Sequence, residues 1–547
     1  MTLSYASGPS DVPLLADTIG HNLQRTATLH PDNDAVVSVH QRIRWSYREF
    51  DQRVNALADG LLTNGLRKGD RVGIWSTNRV EWTLVQYATA KVGAILVNIN
   101  PAYQSAELRH ALRQSGCRWL FSAPSFRQAD FQAMVAEIRR EVPALERTIF
   151  FESDEWSAIA EGVPPGPPSS ALIERMATLD CDEPINIQYT SGTTGFPKGA
   201  TLTHHNILNN ALLLGRILHY SEQDRICIPV PLYHCFGMVM GNLCATNYGA
   251  AMVYPGERFT PEATLQAVQD ERCTSLYGVP TMFIAELGLA NFAGYDLSSL
   301  RTGIMAGSPC PTEVMHQVSD EMGIKELSIS FGMTETSPVT CATRLDDTIE
   351  HRCSTVGQVM PHTEIKVVDP RTGLIQPRGV PGELHARGYA LMRGYWNEPD
   401  RTAEAIDEAL WMHTGDLATI DDQGYVRIVG RIKDVIIRGG ENVYPREVEE
   451  FLYTHPDIAD VQVIGVPDAE LGEQVMAWIM LKDDATLTEE QLRTYAEGRI
   501  AAFKIPHYVK FVDSFPMTIT GKIQKFKMRE QSVIELGLAS AEATATA

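Results

Sequence analysis

The chain has 547 residues, 44% hydrophobic and 21% charged, with 47 Lys and Arg against 68 Asp and Glu. That length exceeds one core and predicts several structural units. The formal net charge of −21 argues against a nucleic-acid partner, which requires a basic face, and any bound polyanion must be held by local positive groups against the overall field.

Nine cysteines are scattered without a C-x-x-C pair, which reads as reduced thiols and neither a disulfide framework nor a zinc site. The first residues lack a basic segment followed by a long apolar run, and no stretch reaches the length of a membrane span, so a cytoplasmic setting is expected.

In chain order, residues 1–45 read as an irregular leader with an early helix. Ser46 and Glu49 form a capping box, and Phe50, Val54, Leu57 and Leu61 follow at helical spacing toward a C-cap at Gly65. Strand (71–76), helix (81–92) and strand (93–100) follow, an alternation that argues for a parallel α/β sheet. A Pro-rich stretch at 163–168 reads as a surface crossing. Residues 185–189 read as a strand that enters a Gly-rich loop, and 204–214 as the helix that leaves it. Further strands are expected at 226–231, 250–254, 300–306 and 327–330. From 357 to 430 short strands with Gly and Pro turns suggest a small β unit. Beyond 430–440, Pro445 suits a helix start, and strands at 461–466 and 475–481 with a capped helix from Thr488 make a compact α+β domain. Residues 539–547 are expected to fray.

The chemistry is concentrated in five stretches. The loop YTSGTTGFPKG at 189–199 has three Gly, four Ser or Thr and one Lys. Glycines let the backbone approach a ligand, and exposed N–H groups, hydroxyls and an ammonium make an anion cradle. SFGMTET at 330–336 offers Phe331 to stack on a purine, Thr334 to donate to phosphate, and Glu335 to hold a hard cation. WMHTGDL at 411–417 offers Asp416, expected in a turn, to accept ribose hydroxyls. Arg431 suits ribose or phosphate oxygens, and TITGKI at 518–523 presents Lys522 on a Gly turn. Singly, each admits a plain structural role: a polar turn between strands, a solvated acid at Glu335, an Asx turn at Asp416, a surface lysine at Lys522, half of an ion pair at Arg431. Jointly and in this order they form a specific constellation.

The chain resembles the adenylate-forming superfamily of acyl-CoA synthetases, luciferases and adenylation domains over essentially its whole length. LRTGIMAGSPCP (300–311), YGVPTMF (277–283) and PLYHCFG (231–237) are most similar to the medium-chain fatty-acyl-CoA synthetases. The resemblance implies an α/β fold with two parts. Residues 1–431 would be a large multi-subdomain domain with mixed and parallel sheets and a small β unit, and residues 432–547 a small mobile α+β lid, with the hinge near Lys433. It implies ATP, Mg2+ and coenzyme A, a fatty acid as the small-molecule carboxylic acid, and two steps: acyl-adenylate formation, then thioester formation with release of AMP.

By motif position, Thr190, Ser191, Gly192, Thr193, Thr194, Gly195 and Lys198 would hold the β- and γ-phosphates. Gly307, Ser308, Phe331, Gly332 and Met333 would line the adenine pocket. Thr334 would contact the α-phosphate, Glu335 would bind Mg2+, and Asp416 with Arg431 would take the ribose. Lys522 would touch the substrate carboxylate and the α-phosphate. Gly439 and Gly440 would flank the pantetheine arm. His234, Met238, Met240, Gly241, Gly278, Val279 and Met305 are the expected acyl-site residues, with glycine at 241 and 278 leaving room for an alkyl chain. No acidic partner for a substrate amine stands among these motifs, which favours a linear apolar acid. The alternatives are an acyl-AMP ligase that loads a carrier protein and a non-catalytic nucleotide binder, and a homodimer is left open.

Overall fold

The computed structural model describes residues 2–160, 162–190, 197–308, 310–482, 485–517 and 523–538. They form a mixed α/β protein with several sheets. Two compact units are present: Ala6–Ile365 with Ala386–His413, and Met1–Tyr5 with Lys366–His385 and Thr414–Ala547.

The larger unit holds two large sheets and a two-stranded ribbon, Ser125–Phe126 with Ala129–Asp130. One runs in the order Gly394–Tyr395, Lys198–Thr203, Pro184–Thr190, Ile95–Ile99, Arg71–Trp75, Trp119–Ser122, Arg147–Phe150. The strands from Pro184–Thr190 to Arg147–Phe150 are parallel. Ile95–Ile99 is buried along its whole length, as expected of a parallel strand covered on both faces. The helix Tyr47–Thr63 packs beside Val80–Val92. Its capping box is formed: Glu49 N–H donates to Ser46 Oγ at 3.3 Å, and Ser46 N–H donates to Glu49 Oε2 at 2.9 Å. Phe50, Val54, Leu57 and Leu61 are fully buried, each stabilising the fold by about 1.5–3 kcal/mol. Past the helix end Gly65 takes φ +86°, the left-handed turn a C-terminal glycine supplies.

The second sheet has nine strands. Ser275–Gly278, Thr302–Ala306 and Glu326–Gly332 run parallel side by side, with Gly278 opposite Met305 and Ala306 opposite Ser330. Their carboxyl ends therefore open on one edge, where ligands of parallel α/β sheets bind.

In the other unit, Glu441–Val443, Ile436–Arg438, Gly472–Leu481 and Ile458–Asp468 form a sheet, and Tyr508–Phe511 joins Gly472–Leu481. Residues Val475, Ala477 and Ile479 pack in a cluster with Val448, Leu452 and Leu492, while Met476 and Trp478 pack with Phe515 and Met528. The period-two alternation puts the helices Pro445–Leu452 and Glu489–Ala496 on one face and Lys525–Glu535 on the other. Pro445 stands in the first helical turn, and Thr488 with Gln491 forms the expected capping box.

Four expectations need correction. Residues 1–45 are more regular than a leader: besides the helix Ile19–Leu29 they carry strands Tyr5–Ser7, Asp34–Ser38 and Ile43–Ser46. The Gly-rich loop is followed not by a helix but by the strand Lys198–Thr203, antiparallel to Pro184–Thr190, and only then by the helix His204–Ile217. The strand expected at 226–231 is only Arg225–Cys227. Asp416 lies within the strand Met412–Ile420, not in a turn. In the second and fourth cases the local Pro or Gly reads as a turn, but cross-strand hydrogen bonding decides. The frayed tail expected at 539–547 lies outside the described residues.

Candidate functional site

The larger unit assembles a site from two sheets. The hairpin formed by Pro184–Thr190 and Lys198–Thr203 pairs Thr190 with Lys198, so both ends of the Gly-rich loop are anchored by a ladder. Ser191, Gly192, Thr193, Thr194 and Gly195 themselves lie outside the described residues, as does Lys522. Next to this hairpin, Gly394–Tyr395 pairs antiparallel with Lys198–Thr203, Tyr395 opposite Ala200. Lys198, two residues along, shares the Tyr395 face, and its Nζ lies 4.9 Å from the Tyr395 ring centroid.

The second sheet supplies the other wall. The pairing of Glu326–Gly332 with Val339–Ala342 shifts register between Phe331 and Gly332, leaving Thr340 as the extra residue, and such bulges re-aim the chain next to sites. Gly332 is required by close approach: a Cβ there would stand 1.8 Å from Pro338 O. The short helical turn Thr334–Thr336 follows. Gly307 takes φ +94° directly after Thr302–Ala306, so Gly307, Ser308, Phe331, Gly332, Met333 and Thr334 gather at the carboxyl ends of two neighbouring parallel strands.

Glu335 is not a solvated acid: it is only 5% exposed. Tyr395 Oη donates to its Oε1 at 2.8 Å, and the Met392 N–H donates to its carbonyl at 2.9 Å. Burial, reinforced by the Glu335 charge, pushes the Tyr395 phenol far above its ordinary range, so it stays a donor. The carboxylate and the adjacent Thr334 hydroxyl are hard oxygen donors, which suit Mg2+.

The turn at residues 231–237 carries His234, half-buried, whose Nδ1 accepts from the Phe236 N–H at 3.2 Å. A buried amide chain lies behind it. Asn186 Nδ2 donates to Asn98 Oδ1 at 2.9 Å, and Asn98 Nδ2 and Gln188 Nε2 donate to Met238 Sδ at 3.2 and 3.1 Å. Met238 is thus tied to the strand that enters the Gly-rich loop. Met240, Val279 and Met305 are buried. The expectation that Gly241 and Gly278 leave room for an alkyl chain is corrected. A Cβ at Gly241 would meet Ile228 Cδ1 at 2.9 Å, and one at Gly278 would meet Phe283 Cε2 at 2.9 Å. Protein side chains already fill both spaces.

The other unit carries the remaining expected residues. Asp416 pairs with Arg431 across antiparallel strands, and Arg431 Nε donates to Asp416 Oδ1 at 3.0 Å. Lys433 lies in the turn Ile432–Asp434, and burial holds its ammonium below the ordinary lysine range, with Arg431 adding to the depression and Asp434 and Asp416 opposing it. Gly439 and Gly440 take φ +58° and +87° between the strands Ile436–Arg438 and Glu441–Val443, the two-residue hairpin turn that favours Gly-Gly.

Sequence reasoning missed Tyr395, Met392, Asn98 and Gln188. The Gly394–Tyr395–Trp396 run in the small β unit was the only available signal for the first two, and the amides carried none.

The chain belongs to the AMP-binding enzyme family: residues 23–396 match the AMP-binding enzyme model and 447–522 the AMP-binding enzyme C-terminal domain model. It is 47% identical to YngI of Bacillus subtilis (strain 168), named as an acyl-CoA synthetase, over 97% of this chain and 100% of that one. It is 46% identical to the mitochondrial medium-chain acyl-CoA ligase ACSF2 of Danio rerio, over 98% and 92%. The anthranilate CoA ligase AuaEII, solved with anthranoyl-AMP, superposes with a TM-score of 0.87 at 26% identity, covering 96% of this chain and 99% of that one.

Proposed function

We propose that this protein is a fatty-acid–CoA ligase acting on medium-chain acids. The carrying observation is that one Tyr395 side chain meets both the buried Glu335, through its hydroxyl, and Lys198, through its ring. A cation for phosphate oxygens and a carboxylate for a hard cation then stand side by side. The names of these relatives support CoA as acceptor and medium chain length.

In the first step the fatty-acid carboxylate attacks the α-phosphorus of ATP. The bond to the bridging oxygen breaks, and pyrophosphate leaves. The ionised carboxylate needs no general base; what opposes reaction is repulsion between anions, so positioning and charge neutralisation carry the catalysis. Thr190, Ser191, Gly192, Thr193, Thr194, Gly195 and Lys198 hold the β- and γ-phosphates. Gly307, Ser308, Phe331, Gly332 and Met333 take the adenine. Asp416 and Arg431 take the ribose, and Thr334 meets the α-phosphate. Glu335 would hold Mg2+, which would neutralise phosphate charge. Lys522 bridges the substrate carboxylate and the α-phosphate. In the second step the coenzyme A thiolate attacks the acyl carbonyl and AMP leaves, with Gly439 and Gly440 beside the pantetheine arm. His234, Met238, Gly241, Gly278 and Met305 border the acyl group.

Residues 432–547 act as the lid and pivot at Lys433. The short turn Ile432–Asp434 and the separate C-terminal family match support this boundary. The proposed compartment is the cytoplasm, supported by nine scattered cysteines without a C-x-x-C pair. No helix among the described residues is long and apolar enough to cross a membrane.

AMP formation with octanoate, with and without coenzyme A, tests the reading. Lys522→Ala should lower the adenylation rate a few hundredfold, about 3 kcal/mol. Unchanged turnover would remove the lysine assignment. Rapid pyrophosphate release with poor use of coenzyme A would favour a carrier-loading ligase. A panel from butanoate to palmitate sets the chain length.

A further inference from the structure

We propose that Tyr395 is a positioning residue for the metal and phosphate end of the site, its hydroxyl fixing the Glu335 carboxylate while its ring face fixes Lys198. The inference rests on the roles of Glu335 and Lys198 proposed above.

The geometry is specific. Tyr395 is 8% exposed and Glu335 5%, so the 2.8 Å bond between them faces little competition from water. One oxygen of the carboxylate is engaged by a neutral donor, which orients the group without cancelling its charge. An arginine or lysine there would neutralise the ligand. Lys198 meets the ring 4.9 Å from its centroid, and an aromatic face attracts an ammonium while leaving its N–H donors for phosphate oxygens. Tyrosine alone among side chains offers a flat ring and a terminal hydroxyl together.

The tyrosine is itself held. Its N–H donates to Thr402 Oγ1 at 2.9 Å, and the Thr402 hydroxyl donates to the Glu398 carbonyl at 2.8 Å. On either side, Trp396 N–H donates to Gly199 O at 2.7 Å and Met392 N–H to Glu335 O at 2.9 Å. Gly394 takes φ +136°, and a Cβ there would meet Thr402 Cγ2 at 2.7 Å. The segment 392–396 thus clips the Gly-rich hairpin to the turn that carries Glu335. Partners of metal ligands tune affinity by about ten- to a hundredfold.

The test titrates Mn2+ by calorimetry into full-length enzyme saturated with an ATP analogue that has a methylene between the α and β phosphorus atoms. Tyr395→Phe should weaken Mn2+ binding about tenfold or more, yet bind the analogue in EDTA as wild type does, because the ring over Lys198 remains. Tyr395→Leu should also weaken analogue binding in EDTA, about two- to fivefold. Analogue stoichiometry reports the folded fraction, so unfolding is separated from lost metal affinity. Thr402→Val, which frees the Tyr395 backbone without touching Glu335, should weaken Mn2+ roughly two- to fivefold. Wild-type Mn2+ affinity in both Tyr395→Phe and Thr402→Val overturns the proposal. Wild-type Mn2+ affinity in Glu335→Gln instead overturns the metal assignment beneath it.

Discussion

At Asp416 the distance alone does not separate an ion pair from a ribose site; magnitude does. The Asp416 carboxylate is only 9% exposed but Arg431 is half-exposed, so removing the carboxylate leaves the guanidinium to water and costs about 1 kcal/mol. Asp416→Ala should therefore barely move the melting temperature. If the carboxylate accepts ribose hydroxyls, the KM for ATP should rise about tenfold or more, the cost of a hydrogen bond to a charged group. Pyrophosphate release across ATP concentrations, read beside the melting curve, decides between them. Glu286 poses a different question. It is fully buried in the helix Pro280–Leu287, and its Oε2 has no partner among the described residues. Burial raises its pKa well above the ordinary 4.5, so the folded chain keeps a proton that the unfolded chain has already released. Stability from this group is greatest below the ordinary glutamate range and falls as pH rises through it toward the raised folded value. Glu286→Met should stabilise the protein by about 1–3 kcal/mol at neutral pH, with the gap shrinking in acid. Denaturant midpoints for both proteins across that range check it.

Among the elements, the bulge at Phe331 and Gly332 does the most to place chemistry. It shifts the register at the last paired residue of a parallel strand, and the turn that carries Thr334 and Glu335 follows directly where the parallel strands open. Gly332→Ala would force the Pro338 carbonyl away. Overpacking of this kind costs about 1–3 kcal/mol, and because the displaced backbone carries Glu335, AMP formation should fall further than the melting temperature suggests. A full melting loss with normal activity of the remaining folded protein would count against this role. Elements defined by local chemistry were legible. The capping boxes at Ser46 and Thr488 and the proline start at Pro445 are decided within four residues. The strand Lys198–Thr203 was not legible, because Pro-Lys-Gly reads as a turn until its partners Pro184–Thr190 and Gly394–Tyr395 are in place.

For the molecule as a whole, two successive reactions need different surroundings at the same acyl group. Lys433→Pro should slow thioester formation far more than adenylation, since a fixed φ blocks the pivot. Single-turnover measurements of each half-reaction test this; an equal fall in both would sink the hinge.

The order and spacing of the five motifs determined, without any coordinates, the class of enzyme, because phosphate, ribose and metal each demand particular short-range chemistry, and they supply the residues proposed to face the nucleotide. Tertiary structure decided what stands between those residues. Tyr395 meets Glu335 from sixty positions away, Asn98 and Gln188 reach Met238 from separate strands, and the spaces beside Gly241 and Gly278 prove occupied. Such contacts depend on which strands become neighbours, and neighbours are chosen by burial over the whole chain, a quantity no local window contains.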